Sequence, residues 1–317
     1  MSIGETSAHS PLSLPKPIPE LAPGEFVLFQ ALVLRESGIH LGEKNRAMLV
    51  SRLWKRLRTL EINSFSAYYR RVKADPLEMV RMLDCVSTNE THFFREPAAF
   101  ECLRRRVFPE WMAEAEAGKR SRTIRVWSAA CSTGEEPFSL AMALVSEFPF
   151  SAGWSVEVLG TDLSTKVLAR ASAGIWPIER ISDVPVEYQR KFLLKGFGPE
   201  KGKIKVADEL RRVVRFQRIN LTQQPYQVTG SFDLIFCRNV LIYFEWETKI
   251  RVVDQLGQFL TPSGYLFLGH AESVHGVADK LQNVAPKIFP SAGGPKARGG
   301  APCVLQRREN TDRDGRT

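Results

Sequence analysis

The chain has 317 residues, enough for one large domain or two modest ones, and its 44% apolar and 25% charged residues are the balance of a soluble globular protein. No apolar run approaches the roughly 20 residues needed to span a bilayer, and the proline-rich start lacks the charge-then-apolar order of a signal peptide, so a cytoplasmic location is expected. The formal net charge of +9 admits nucleic acid or an acidic protein as partner.

Residues 1–23, rich in proline and serine, and residues 291–317, rich in glycine and charge, cannot bury enough apolar surface to offset their ordering entropy, and both are expected to be disordered tails. From Glu25 to about Cys85 apolar residues recur at helical spacings. In KNRAMLVSRLWKRLRTL, Leu49, Leu53, Leu57 and Leu60 share one face, while Lys44, Arg52, Lys55, Arg56 and Arg58 lie mostly away from it. The cationic side is either a solvated face or a docking surface for an acidic partner.

DCVSTNETHFFRE (84–96) is a polar cluster with paired aromatics, in which Asn89 and Thr91 could cap a helix or bind a ligand. From about Thr123 short apolar strands alternate with helices. TIRVWSA and SVEVLGTD are strands, EEPFSLAMALVSEF and STKVLARASAGIW are helices. GSFDLIFCRNVLIYF is a strand with its exit loop, followed by a helix in WETKIRVVDQLGQFL, a turn at TPSG and a strand in YLFLGHA. This rhythm predicts a mainly parallel sheet covered on both faces. Residues 183–219 interrupt it with two short alternating runs, KIKVA and RVVRF, expected as a small antiparallel insertion from which RVVRFQRIN could re-enter the main sheet.

In such sheets ligands sit beyond the carboxyl ends of the strands, here SAACSTGEE, GTD and CRNVLIYF. The first of these has one glycine, no lysine and two carboxylates, Glu135 and Glu136, where a phosphate cradle needs glycines and N–H groups. Asp162 closes the second strand, placed either to accept ribose hydroxyls, to cap a helix, or both. With no G-x-G-x-x-G and no G-x-x-x-x-G-K-[ST], the loops suit a cationic, phosphate-free cofactor such as S-adenosylmethionine. The five cysteines are scattered without a C-x-x-C pair and the five histidines form no array, so neither a disulfide framework nor a metal site is expected.

TNETHFFR (88–95), RVWSAACSTGEEPFS (125–139), GTDLSTKVL (160–168), FDLIFCRNVLIYF (232–244) and GYLFLGHAES (264–273) together resemble the CheR family of chemoreceptor glutamate O-methyltransferases. The resemblance spans roughly residues 25–289. It implies an α/β, Rossmann-like class I methyltransferase sheet in residues 96–290, an N-terminal all-helical, receptor-docking domain in residues 24–95, and a small antiparallel β-subdomain inserted at about 183–219. It implies S-adenosylmethionine as cofactor, S-adenosylhomocysteine as product, and methyl-accepting chemotaxis receptors as partners of a monomeric enzyme, without nucleic acid or membrane insertion.

Residue by residue, the resemblance places Asn89, Thr91 and Arg95 at cofactor contacts, with Arg95 also near the transferring methyl. Glu136, more than Glu135, matches a cofactor carboxylate, and Asp162 matches the ribose ligand. Asn220 and Leu221 match the adenine pocket, Arg238 and Asn239 the methionine end, and Tyr243 a position near the sulfonium and the reacting carboxylate. Arg52, Lys55, Arg56 and Arg58 become candidates to dock against the receptor's methylation helix. Cys131 departs from the small residue usual in the family, and the inserted segment leaves open whether a receptor C-terminal pentapeptide is bound.

A glutamate carboxylate, with a pKa of about 4.3, is ionised at neutral pH, so methylating it needs alignment and no general base. Two rivals remain. A nucleic-acid methyltransferase would fit the positive charge, but the prolines that amino-methylating DNA enzymes carry after the fourth strand are absent from CRNVLIYF. A non-catalytic receptor- or cofactor-binding adaptor is opposed by the presence of Arg95, Asp162 and Tyr243.

Overall fold

A computed structural model describes residues 19–272, 281–283 and 303–307. The tails at 1–18 and 308–317, and residue 273 of the last motif, lie outside the described residues.

The helical domain comprises α1 (Pro23–Ser37), α2 (Arg46–Thr59), α3 (Phe65–Ala74) and α4 (Pro76–Val86). Local chemistry sets the boundaries. Pro23 opens α1 where no N–H partner is needed, and Gly38, at φ 70°, closes it by donating to Leu34 O. Ser64 Oγ caps α3 through Ala67 N–H, and Asp75 Oδ1 caps α4 through Leu77 N–H. Phe29, Leu49, Leu53, Leu57, Phe65, Tyr68 and Met82 fill the core. Leu60, expected on the same face, is only partly buried because α2 has already ended.

The second domain begins with α5 (Pro97–Cys102), a π turn (Leu103–Val107) and α6 (Phe108–Glu116) in one continuous run. Then follow β1 (Thr123–Ala129), α7 (Glu135–Glu147), β2 (Ser155–Asp162), α8 (Thr165–Ala173), β3 (Ile175–Pro177), α9 (Val186–Phe192), β4 (Leu193–Lys195), β5 (Lys203–Val206), α10 (Asp208–Val213) and β6 (Val214–Arg218). The chain continues through β7 (Phe232–Cys237), α11 (Trp246–Gln258), β8 (Leu260–Leu268), β9 (Leu281–Asn283) and β10 (Cys303–Arg307). Seven strands form one sheet in the order β6-β2-β1-β7-β8-β10-β9, parallel except where β10 pairs antiparallel with β8 and β9. Strand order reverses between β1 and β7, which opens a crevice at their carboxyl ends. One face of the sheet is covered by a core containing Val126, Leu140, Leu144, Phe236 and Phe267. The other buries Trp127, Ile235, Val253, Leu256 and Leu266. This is the class I methyltransferase architecture that the resemblance implies.

Four boundaries differ from the sequence expectation. The inserted sheet, ordered β3-β5-β4, begins at Ile175 rather than 183, because Gly174, at φ 63°, stops α8 before Ile-Trp-Pro. RVVRF re-enters the main sheet, as the sequence allowed, with β6 parallel to β2, so the insertion ends before residue 214 rather than at about 219. The expected turn at TPSG lies inside β8, absorbed where the β7–β8 register shifts between Phe232 and Leu234. Within the expected C-terminal tail, Cys303–Arg307 is a strand with Val304 and Leu305 buried, a pairing set by β8 rather than by the polar composition around it.

Candidate active site

The carboxyl ends of β1, β2, β6 and β7, the linker after α4 and the start of the α1–α2 connection enclose a cleft of ≈ 810 Å³. Asn89, Thr91, Arg95, Glu136, Asp162, Asn220, Leu221, Arg238, Asn239 and Tyr243 all line it, although the sequence scatters them over 155 positions (243 − 89 + 1).

The β1–α7 loop is built around strained and close-packed backbone. Ala130 and Ser132 have positive φ, 66° and 50°, and Gly134, at φ 97°, leaves no room for a side chain, since a Cβ would stand 2.9 Å from Ala171 Cβ. This explains the single glycine of the turn: it seats α7 against α8. Glu135 then points away from the cleft, buried and accepting from Thr133 Oγ1 at 2.6 Å, while Glu136 lines the cleft.

Glu136 Oε1 accepts from Ser128 Oγ at 2.7 Å and Oε2 from Arg238 Nη1 at 3.0 Å. Burial pushes its carboxyl above the ordinary range, and Arg238 and Ser128 oppose that rise only in part. The fully buried Arg238 side chain also reaches Glu96 Oε2 at 3.2 Å and donates to Arg95 O. Glu96 Oε1 in turn accepts from Asn239 Nδ2 and meets His270 Nδ1, each at 3.0 Å. Burial alone would raise the Glu96 carboxyl, but Arg238, His270 and Asn239 outweigh it and hold it at about 2.

Asp162 is fixed by two backbone donors, Ser132 N–H on Oδ2 and Ser164 N–H on Oδ1, both at 2.9 Å. The α8 cap is Ser164, whose Oγ accepts from Val167 N–H, so Asp162 is not the capping residue. Burial raises its carboxyl and the backbone donors pull the other way. Ser132 Oγ donates to Asn89 O, which ties the linker to this loop.

Arg95 donates from Nη1 to Glu90 O at 2.8 Å and makes no ion pair among the described residues. Asn220 is largely committed to structure: Nδ2 donates to Glu36 O at 2.6 Å, and Oδ1 accepts from Thr222 N–H and Oγ1. Leu221 is buried beside it. Asn239 holds a left-handed conformation, φ 59°, with its N–H donated to Glu272 Oε2. Tyr243 O accepts from His40 N–H, one of the bonds that seat the helical domain on this cleft. Burial pushes the Cys131 and Cys237 thiols well up, so neither is a thiolate nucleophile.

Among the expected docking cations, two are engaged within the fold. Arg52 Nη1 donates to Val86 O, Ser87 O and Thr88 Oγ1, closing the end of α4. Arg56 grips the fully buried Glu78 with two bonds, 2.8 and 2.6 Å, while Tyr68 Oη donates to the same carboxylate at 3.0 Å. The polar side of α2 is flanked by α4, and of the four cations only Lys55 and Arg58 are exposed. Glu96, Glu272, Ser128 and Ser132 escaped sequence reasoning. Glu96 directly follows the first family-like motif and Glu272 is the penultimate residue of the last, and an acidic side chain at each of these places was the available signal.

The donor set tests what the cleft can hold. Two carboxylates line it, Asp162 buried and Glu136 largely so, both raised by burial, and among the described residues nothing there resembles a glycine-rich phosphate cradle. Such a lining favours positive charge and hydroxyl donors, which an ammonium, a sulfonium and a ribose provide. With the reversed-order sheet, it defines a class I, S-adenosylmethionine-dependent methyltransferase.

Family models agree. Residues 24–87 match the CheR methyltransferase all-alpha domain and residues 89–289 its SAM binding domain, and the chain belongs to the CheR methyltransferase family. It is similar to chemotaxis protein methyltransferase 2 of Pseudomonas aeruginosa, 35% identical over 272 residues, covering 84% of this chain and 93% of the relative. The chemotaxis protein methyltransferase of Klebsiella aerogenes is 38% identical over 256 residues, 80% of this chain and 84% of the relative. That of Escherichia coli is 35% identical over 256 residues, 80% and 85% respectively. S-adenosylmethionine is the cofactor of this enzyme.

Proposed function

We propose that this enzyme transfers the methyl group of S-adenosylmethionine to glutamate side-chain carboxylates in the cytoplasmic helices of methyl-accepting chemotaxis receptors, giving glutamate methyl esters and S-adenosylhomocysteine. The carrying observation is Arg95: a guanidinium lining the cleft with no ion-pair partner among the described residues, close enough to Glu136 to oppose part of the rise that burial imposes on its carboxyl. An incoming carboxylate would supply that partner. The names of the relatives support a chemotaxis substrate.

The cofactor supplies an electrophilic methyl on a sulfonium; the chain's own residues supply position. Asp162 takes the ribose hydroxyls, and its two backbone donors keep the carboxylate rotamer fixed. Glu136 receives the ammonium, with Asn89, Thr91, Arg238 and Asn239 around the methionine end. Leu221 and Asn220 border the adenine, Asn220 chiefly by bracing the loop against α1. Arg95 and Tyr243 orient the acceptor carboxylate for in-line attack, which needs no base because the acceptor is already an anion. Lys55 and Arg58 remain for contact with an acidic receptor helix. Among the described residues no helix is long and apolar enough to cross a membrane, which accords with a cytoplasmic enzyme.

Peptide mass spectrometry after incubation with receptor cytoplasmic fragments tests the reading. Methyl groups on glutamate side chains, lost in the Arg95→Ala variant, are expected; methylation confined to lysine or to backbone termini would oppose it.

A further inference from the structure

Glu96 touches three groups that no single element could hold together. It follows Arg95 in the linker, at φ 56°, and contacts Arg238 and Asn239 after β7 and His270 after β8. Arg238 lies between two acids, 3.0 Å from Glu136 and 3.2 Å from Glu96, with its guanidinium over the Phe236 ring. Two carboxylates, Glu136 and Glu96, thus share the one buried guanidinium of Arg238. Without Glu96, Arg238 would belong to Glu136 alone and the pair would be neutral, with little electrostatic reason to accept a cation.

We infer that Glu96 is a positioning residue for the cofactor: it shares Arg238 with Glu136, fixes the guanidinium, and keeps the Glu136 side of the cleft anionic toward the cofactor's positive end. This rests on the proposed placement of Glu136 and Arg238 at the methionine end, and is independent of the methyl acceptor's identity. The left-handed backbone at Glu96 and Asn239 fits the same role, since two strained turns are held face to face by one carboxylate.

Calorimetry on the full-length protein, with S-adenosylmethionine and with S-adenosylhomocysteine, provides the test. Glu96→Gln keeps the volume and removes the charge, and should weaken both ligands by about tenfold. In steady state it should raise KM for S-adenosylmethionine while kcat stays within about threefold. Glu96→Asp retains the charge and should lose less. In a Glu136→Gln background the Glu96→Gln effect should shrink below about threefold, because its target is already gone. Unchanged affinity in Glu96→Gln, equal losses in the Gln and Asp variants, or full additivity with Glu136→Gln would each overturn the inference. Failure of the receptor reading would leave these binding results in place, so the two are separable.

Discussion

Arg56→Ala should unfold the helical domain far more readily than a surface substitution would. Glu78 is fully buried, and Arg56, with 18% of its side chain exposed, gives it two charge-assisted hydrogen bonds; Tyr68 adds a third. Truncation leaves an uncompensated carboxylate in the core, at a cost of about 3–5 kcal/mol, taken near 3 because Arg81 stays within 3.5 Å. For a domain of this size that is a fall in Tm of more than about 10 °C. Burial works to raise the Glu78 carboxyl, yet Arg56 and Tyr68 bring it below its ordinary value of 4.5. A carboxyl depressed in the folded state contributes stability above its unfolded pKa and loses it as pH falls through the folded pKa. Wild type should therefore lose stability on acidification below about pH 4.5, and Arg56→Ala should lack that part of the profile. Thermal melts followed by circular dichroism across this range are the assay. Lys55→Glu and Arg58→Glu, both exposed, should leave Tm within a few degrees and lower receptor methylation. An Arg56→Ala protein with wild-type Tm and lost methylation would refute the internal ion pair and restore Arg56 to the docking surface.

Further outcomes follow from the cleft and the sheet. Asp162→Ala should abolish cofactor binding by calorimetry, and retained binding would remove Asp162 from the site. Arg95→Ala should lower kcat more than affinity for S-adenosylhomocysteine, and the opposite split would make it a cofactor ligand only. Ending the chain before Cys303 removes β10, whose Val304 and Leu305 are 2% and 4% exposed. At roughly 1.5–3 kcal/mol for each buried side chain, a loss of about 3–6 kcal/mol is expected in denaturant titration, and an unchanged midpoint would contradict the pairing with β8.

Strands such as TIRVWSA and FDLIFC were legible because a parallel sheet buried on both faces writes itself as continuous apolar runs. The family motifs made the cleft-lining residues legible as well, although nothing in their spacing shows that Asn89 and Tyr243 share one cleft. What stayed hidden depends on partners distant in sequence. The three-residue β3 is too short to have a period, though Gly174 marked the end of the helix before it. CVLQR is drowned in a polar tail, and its order comes from β8. A helical wheel puts Arg56 on the polar face of α2 and says nothing of Glu78, 22 residues on. Glu96 was invisible for the same reason: its three partners lie more than 140 positions away.

Carboxyl methylation at this cleft is open to a direct test. Purified protein with tritiated S-adenosylmethionine, offered chemoreceptor membranes and nucleic acid side by side, decides it. Label in the receptor band that base releases as volatile methanol is the predicted result. Base-stable label, or label in the nucleic acid, would rule out receptor carboxyl methylation as the activity of this cleft.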